Sequence, residues 1–324
     1  MPETRAAPKV SIGLPVYNGE RYVAQAIESI LAQTYQNFEL IISDNASTDR
    51  TEEICRRYAE HDSRVHYHRQ SQNLGAAPNF NRVFELSNGS KYFKWAAHDD
   101  WIAPTYVEEC VRALESDPDA VVCQSLVGLV DAEGRHLQTF NHFAAGAARG
   151  RQSDRFGAIL KDLRRCFDVF GVIRRDTLAT TGLIGSHQGG DRTLLLELAL
   201  HGRFALVPHC LFFNRDHGER FIRRKHRPQD ELAWYTASEG ARRAPCRTWT
   251  LYAACFRMIR DRVADRAEGL RCYSHLLRSV LGRRRWKRLL LEPVIALHPR
   301  LHHAYLKHKH PVGGSRTQLF SRLD

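Results

Sequence analysis

The stretch VSIGLPVYNGERYVAQAIESILAQTYQNFELIISDNASTDRT, Val10 to Thr51, decides the fold by its change of period. Its start is a short apolar run closed by Pro15 and Asn18, which reads as a buried strand. Tyr22, Val23, Ala26, Ile27, Ile30 and Leu31 then recur on one helical face. FELIISDNAST is a second buried strand. STDRTEEICRRYAEHD opens a second helix, with Glu52 three residues after Asp49 in a capping-box pattern.

The alternation continues. RVHYHRQ is a third strand, SQNLGAAPNFN a polar loop, and a helical stretch runs to about Leu86. KYFKWAAHDD is a fourth strand, APTYVEECVRALES a helix and DAVVCQSLVGLVD a strand. From about 135 to 190 the pattern loosens, with DVFGVIRRDTL as a further strand candidate. DRTLLLELALHGRFALVPHCLFF reads as a helix ending near Gly202 and a strand after it. Strands alternating with helices of this length predict βαβ units: an α/β, mostly parallel central sheet with helices on both faces. Beyond residue 220 the reading is a basic helical region. The expected division is 1–220 and 221–324.

Charge follows the same division. The net charge is +12. Residues 220–324 hold 24 Lys and Arg against 8 Asp and Glu, while residues 1–219 hold 24 against 28. An anionic partner is therefore expected at the C-terminal third. The eight cysteines are scattered with no C-x-x-C pair, which predicts reduced thiols in a cytoplasmic protein. No stretch approaches the roughly 18–20 apolar residues of a membrane span, and the first ten residues lack a signal-peptide core.

In open α/β sheets, ligands sit beyond the carboxyl ends of the strands. Four polar groups fall there: Pro15, Tyr17, Asn18 and Glu20; Asp44, Asn45 and Ser47; Asn73, Gly75 and Asn79; His98, Asp99 and Asp100. No G-x-G-x-x-G follows the first strand and no G-x-x-x-x-G-K-[ST] occurs, which excludes a classical dinucleotide site and a P-loop. A nucleotide diphosphate here needs its charge offset by a hard dication held on carboxylates. Asp99 and Asp100 are the obvious pair, since a cation turns their mutual repulsion into binding.

These residues carry a resemblance. VSIGLPVYNGERYVAQAIESILAQTYQNFELIISDNASTDRT, QNLGAAPNFN, AHDDW and GGDRTLLLELALHGRFALVPHCLFFNRDH resemble the family 2 glycosyltransferases, enzymes of the GT-A fold, over roughly residues 8–220. The resemblance implies that Pro15, Tyr17, Asn18 and Glu20 lie along the donor nucleotide. It implies that Asp44 meets the base, Asn73 the base or ribose, and Asp99 the ribose, the metal or both. Asp100 and His217 would be metal ligands, for Mg or Mn, and Asp191 the general base. The first Asp of the family's D-x-D falls on Ala97, and its Glu-Asp pair reads GGDR, which leaves Asp191 alone. The Q-x-x-R-W signature of processive synthases is absent, which implies a single transfer.

The implied function is an inverting, metal-assisted transfer from a UDP-, GDP- or dTDP-sugar to a glycan or lipid-linked acceptor, in bacterial glycan or glycolipid synthesis. One carboxylate base suffices for direct displacement, whereas double displacement needs a second, nucleophilic one. The alternatives are a sugar-phosphate nucleotidyltransferase and a degenerate, non-catalytic sugar- or nucleotide-binding protein. RSVLGRRRWKRLLLEPVIALHPRLHHAYLKHKH mixes Arg and Lys with Trp286, Leu289, Leu290, Leu291, Val294 and Ile295. That composition suits an anionic membrane surface on the cytoplasmic side. No nucleic-acid motif accompanies it.

Overall fold

The computed structural model describes residues 9–87, 89–161, 166–187, 189–218, 235, 246–282 and 285–297. The parts of the expected helical region at 221–234, 236–245, 283–284 and 298–324 lie outside the described residues.

Strand β1 (Val10–Val16) is buried along its whole length, as a central parallel strand must be. Helix α1 (Val23–Leu31) turns Val23, Ala26, Ile27 and Ile30 onto the sheet. Then follow β2 (Phe38–Asp44), α2 (Thr51–His61), β3 (Val65–Arg69), α3 (Ala76–Leu86) and β4 (Tyr92–Trp95). Strand β2 pairs parallel with β1 in a register that sets Val16 opposite Asp44. Strand β4 pairs with the other side of β1, with Gly13 opposite Trp95. The chain thus reverses direction across the sheet between β1 and β4, and such a switch point opens a crevice at the strand ends.

The second half adds the antiparallel pairs of the mostly parallel sheet. It contains β5 (Trp101–Ile102), α4 (Tyr106–Ser116), β6 (Ala120–Val130), β7 (His136–Phe140), α5 (Gln152–Lys161), β8 (Val172–Arg174), α6 (Arg175–Ala179), α7 (Gly190–His201) and β9 (Arg203–Arg215). Among the described residues the strands form one nine-stranded sheet in the order β3-β2-β1-β4-β8-β6-β9-β5, with β7 on β6. Strand β8 is antiparallel to both β4 and β6, and β5 is antiparallel to β9. The sheet is therefore mixed. Three short helices, α8 (Arg247–Arg262), α9 (Arg266–Gly282) and α10 (Arg285–Leu297), complete the described chain.

Alternate residues of each strand serve opposite faces. Ile12, Leu14, Leu40, Ile42 and Tyr92 join one hydrophobic cluster with α1 and α4. Phe93, Trp95 and Ile41 join the other, beneath α3, α5 and α7. Cys255 and Ile259 of α8 and Cys272 and Leu276 of α9 belong to this second cluster. The basic helices share a core with the sheet. Gly13 allows the α3 contact, because a β-carbon there would meet Val83 and Phe93.

Candidate active site

The loop after β1 is built by the loop after β2. The Asn18 amide donates to Ser47 Oγ at 2.9 Å, Gly19 to Thr51 Oγ1 at 2.8 Å and Glu20 to Asp49 Oδ2 at 3.0 Å. In return the Thr48 amide donates to Asn18 Oδ1 and the Arg50 amide to Glu20 Oε2. Asn18 sits at φ +50 and Ala46 at φ +61, left-handed positions that these bonds stabilise. Asp49 and Glu52 do not close the expected capping box. Asp49 holds the Thr51 amide and hydroxyl and the Glu20 amide, while Glu52 pairs with Arg56 and Arg69. Pro15 is buried in β1, and Tyr17 is exposed at the crevice mouth.

Asp44 is fully buried. Its Oδ1 accepts from the Ser47 amide at 2.9 Å, and its Oδ2 accepts from Tyr67 Oη at 2.7 Å and Arg69 Nη1 at 3.0 Å. Desolvation and this carboxylate together push the Tyr67 phenol well above its usual pKa. Asn45 donates to Asn73 Oδ1 at 2.8 Å and accepts from the Leu74 amide at 2.8 Å, so it shapes the third loop. Asn73 itself is exposed. Asn79 exchanges two bonds with Ser43, one to the hydroxyl and one to the carbonyl.

The end of β4 meets this edge. The Ala96 amide donates to Gly13 O, and the His98 ring lies where a Gly19 β-carbon would be. Asp99 and Asp100 diverge from there. Asp99 Oδ2 lies 2.9 Å from His217 Nε2, with both side chains largely buried. His217 packs on the Tyr22 ring, and its Nδ1 is buried without a hydrogen-bond partner. Asp100 instead accepts from Asn214 Nδ2 through both oxygens, at 3.1 and 2.9 Å, and from the Arg215 amide at 2.9 Å.

The two-residue strand β5 makes this meeting possible. Trp101 pairs with Phe213 and Ile102 with Phe212, which sets Asp99 and Asp100 beside the Asn214–His217 segment. Arg215, which the sequence reading passed over, is the clasp. Its Nε donates to Asp99 O at 3.0 Å and its Nη1 to Ala132 O at 2.7 Å, while Nη2 donates to Gln25 Oε1. Its guanidinium also lies against the Tyr22 and Trp101 rings. Only the placement of RDH directly after an apolar strand hinted at such a role.

A dication needs one or two protein ligands when phosphate oxygens and water complete its shell. Asp99 and His217 fit that requirement. They are an oxygen and a nitrogen donor 2.9 Å apart, and with the ring proton on Nδ1 the Nε2 lone pair would be open to a cation. Asp100, the other expected ligand, has Oδ1 engaged by Asn214 and the Arg215 amide and Oδ2 by Asn214 alone, so Oδ2 keeps a lone pair. Among the described residues no group of three or more His, Cys, Asp or Glu side chains is poised on one ion.

Asp191 belongs to a separate group. It lies one residue inside α7, with Gly189 in the cap position at φ +88, and its Oδ1 accepts from the Arg192 amide at 2.9 Å. The first turn of a helix favours a carboxylate there. Burial first, and the Asp191 charge next, raise the neighbouring Cys166 thiol well above its usual pKa. The missing Glu of the Glu-Asp pair has a steric cause. A β-carbon on Gly190 would run into the Gly185 carbonyl oxygen, so no side chain fits. The loop before α7 is tied to α3 through Asn81, whose amide group exchanges bonds with the Ile184 amide and carbonyl.

Similarity to other proteins follows the same outline. Residues 11–182 match the family described as glycosyl transferase family 2. An uncharacterized glycosyltransferase of Rickettsia typhi is 34% identical over 139 residues, 42% of this chain and 42% of that one. The putative glycosyltransferase EpsH of Bacillus subtilis is 36% identical over 117 residues, 36% of this chain and 33% of that one. The chain thus spans less than half the length of these curated relatives. The S. aureus protein TarS, residues 1–349, has the same fold at a TM-score of 0.60 and 14% identity, over 85% of this chain and 72% of that one. TarS has also been solved with UDP and with UDP-GlcNAc. The family match covers more than half of the sequence, and the chain belongs to the family 2 glycosyltransferases.

Proposed function

We propose that the protein transfers a glycosyl group from a nucleotide-sugar donor to an acceptor hydroxyl, with inversion at the anomeric carbon. The observation that carries this reading is the pairing of Asp99 with His217 at the crevice between the β1 and β4 ends. Tyr17 and Asn73 are exposed at the ends of β1 and β3 and would contact the base and ribose. Asp44 is closed off by Tyr67 and Arg69, so we assign it to holding the Ser47 loop rather than to the base. Pro15, Asn18 and Glu20 would shape the wall along which the donor lies.

Asp99 and His217 would hold a divalent cation, Mg or Mn, and Asp100 would position them by anchoring Asn214 and Arg215. A bound dication offsets the charge of the diphosphate leaving group. Asp191 would take the proton of the acceptor hydroxyl through Oδ2, since Oδ1 already accepts from Arg192. With Asp191 as the one carboxylate assigned to the acceptor side, a single displacement with inversion is the reading we adopt. A lipid-linked or free glycan is the acceptor class we infer, and the donor-binding unit is residues 1–220.

The test is incubation with UDP-, GDP- and dTDP-sugars, with Mn or Mg, while following release of nucleoside diphosphate. UDP-GlcNAc is the first donor to try, given the shared fold with TarS. Slow, cation-dependent hydrolysis of one donor is the expected result. No release from any donor by folded protein would point to the non-catalytic alternative. Pyrophosphate released from a nucleoside triphosphate and a sugar phosphate would point to a nucleotidyltransferase.

A further inference from the structure

We propose that the outer face of α8–α10 is a docking surface for an anionic lipid bilayer. Leu270, Leu277 and Leu281 lie seven and four residues apart, so they form one stripe along α9. They are 70%, 59% and 58% exposed, while Cys272 and Leu276 on the opposite side are buried in the core. Core packing therefore fixes the stripe outward. Phe256 of α8 is also more than half exposed and packs on Tyr273 of α9, ring centroids 4.5 Å apart, which joins the two helices into one face. Trp249 Nε1 donates to Leu289 O at 2.7 Å, which adds α10 with its exposed Leu290. A helix face that met only water would carry polar groups at these positions.

Charge selects the occupant. Residues 247–297 hold twelve Lys and Arg against four Asp and Glu, a net of +8. Arg266, Arg271 and Arg278 are exposed and lie to either side of the leucine stripe on the α9 wheel. A second copy of the chain would set +8 against +8. A nucleic acid would use the arginines and leave the leucines in water. An anionic membrane surface uses both, with leucines below the headgroups and guanidinium groups among them. No helix among the described residues is long and apolar enough to cross a bilayer, so the face would lie on the membrane. This inference does not depend on the donor or the acceptor.

Co-sedimentation of the full chain with vesicles tests it. Vesicles of phosphatidylcholine containing phosphatidylglycerol should pull the protein down at low salt, and pure phosphatidylcholine should not. Leu277→Glu with Leu281→Glu should weaken binding about tenfold or more, as loss of two buried leucines implies. Arg271→Gln with Arg278→Gln should weaken it several-fold and reduce its salt dependence. Both variants should keep the wild-type circular dichroism and donor hydrolysis. The proposal is overturned if anionic vesicles at low salt leave the protein in the supernatant. It is equally overturned if both folded variants bind as the wild type does, if the leucines mediate a dimer in lipid-free light scattering, or if duplex DNA binds while vesicles do not.

Discussion

The two halves of the sheet hold their polar residues in different ways. In the parallel half, β3-β2-β1-β4, the strand-end loops build one another. Ser47 and Thr48 fix Asn18, Arg50 fixes Glu20, and Asn45 fixes Asn73 and Leu74. In the mixed half, residues are gathered by a few clasps that are distant in sequence. Arg215 binds the Asp99 carbonyl and Gln25, and Arg262 binds Glu197 and the Thr180 carbonyl. The parallel half is redundant, so a single change there should be absorbed. In the mixed half several bonds converge on one side chain, as on Arg215 and Asp100, so one change removes several at once.

The sharpest test of that contrast is Asp191→Asn. The amide keeps the shape and the Arg192 contact but cannot accept a proton. Transfer should fall about 10²- to 10⁴-fold, the usual worth of a general base, with unchanged melting. Near wild-type transfer by the folded variant would remove Asp191 from the base role. Asn73→Ala on the parallel side should cost far less.

Lys94 stands at the seam between the halves. Its ammonium is fully buried, donates to the Trp95 and Phe170 carbonyls, and faces the Tyr106 and Phe212 rings. Desolvation lowers its pKa to about 7, only partly opposed by Cys110 and Asp100. The unfolded chain keeps this proton up to pH about 10.4, so between pH 7 and 10 it binds more protons than the folded protein. Stability should therefore rise with pH across this window and be lost again as pH falls toward 7. The full swing, a cost at pH 7 that is relieved by pH 10, is on the order of a few kcal/mol. Lys94→Met should flatten that slope in denaturant titrations at several pH values. Parallel curves for the two proteins would refute the buried, shifted lysine.

Asp99 and Asp100 separate binding from scaffolding. Asp100→Ala leaves Asn214 and the Arg215 amide unpaired in the interior, at a cost of about 2–3 kcal/mol in stability. Asp99→Ala removes the contact of the buried His217 Nε2, at about 1–3 kcal/mol, and should weaken the apparent Mn affinity at least tenfold. If calorimetry with Mn shows the larger loss for Asp100→Ala, the two roles are reversed.

Much of the parallel half was legible in the sequence, because its information is local. Buried seven-residue strands, a helical stripe from Val23 to Ile30 and the polar strand ends all read directly. The capping box was not, since Asp49 found a better partner in the Glu20 amide, 29 residues away. Strand β5 is two residues long and has no periodicity to read. Its pairing sets Asp100 beside Asn214 and Arg215 on β9, and Asp99 beside His217 just past the strand's end. Adjacent carboxylates in a sequence look like one site, but a turn can point them apart. The GGDR departure looked like a lost carboxylate, yet its cause, the Gly185 carbonyl, lies five residues upstream in a tight loop.

Arg262→Gln is the smallest of the expected effects and the one that reaches farthest. Arg262 ends α8, in the basic region that the sequence set apart from the catalytic unit. Its Nε donates to Glu197 Oε1 at 3.0 Å and its Nη2 to Thr180 O at 2.6 Å, while Glu197 Oε2 accepts from the Gly182 amide at 3.1 Å. The chain of bonds runs from α8 through α7 into the loop that precedes Asp191. Glutamine cannot span both partners, and Arg262 is exposed, so the stability cost should be about 1 kcal/mol or less. Transfer should nonetheless drop several-fold through kcat, because the loop that leads into the base's helix loses its outer tie. A drop in acceptor affinity with kcat unchanged would assign the loop to binding instead. No change in either would show that the basic helices are joined to the sheet only by their apolar core.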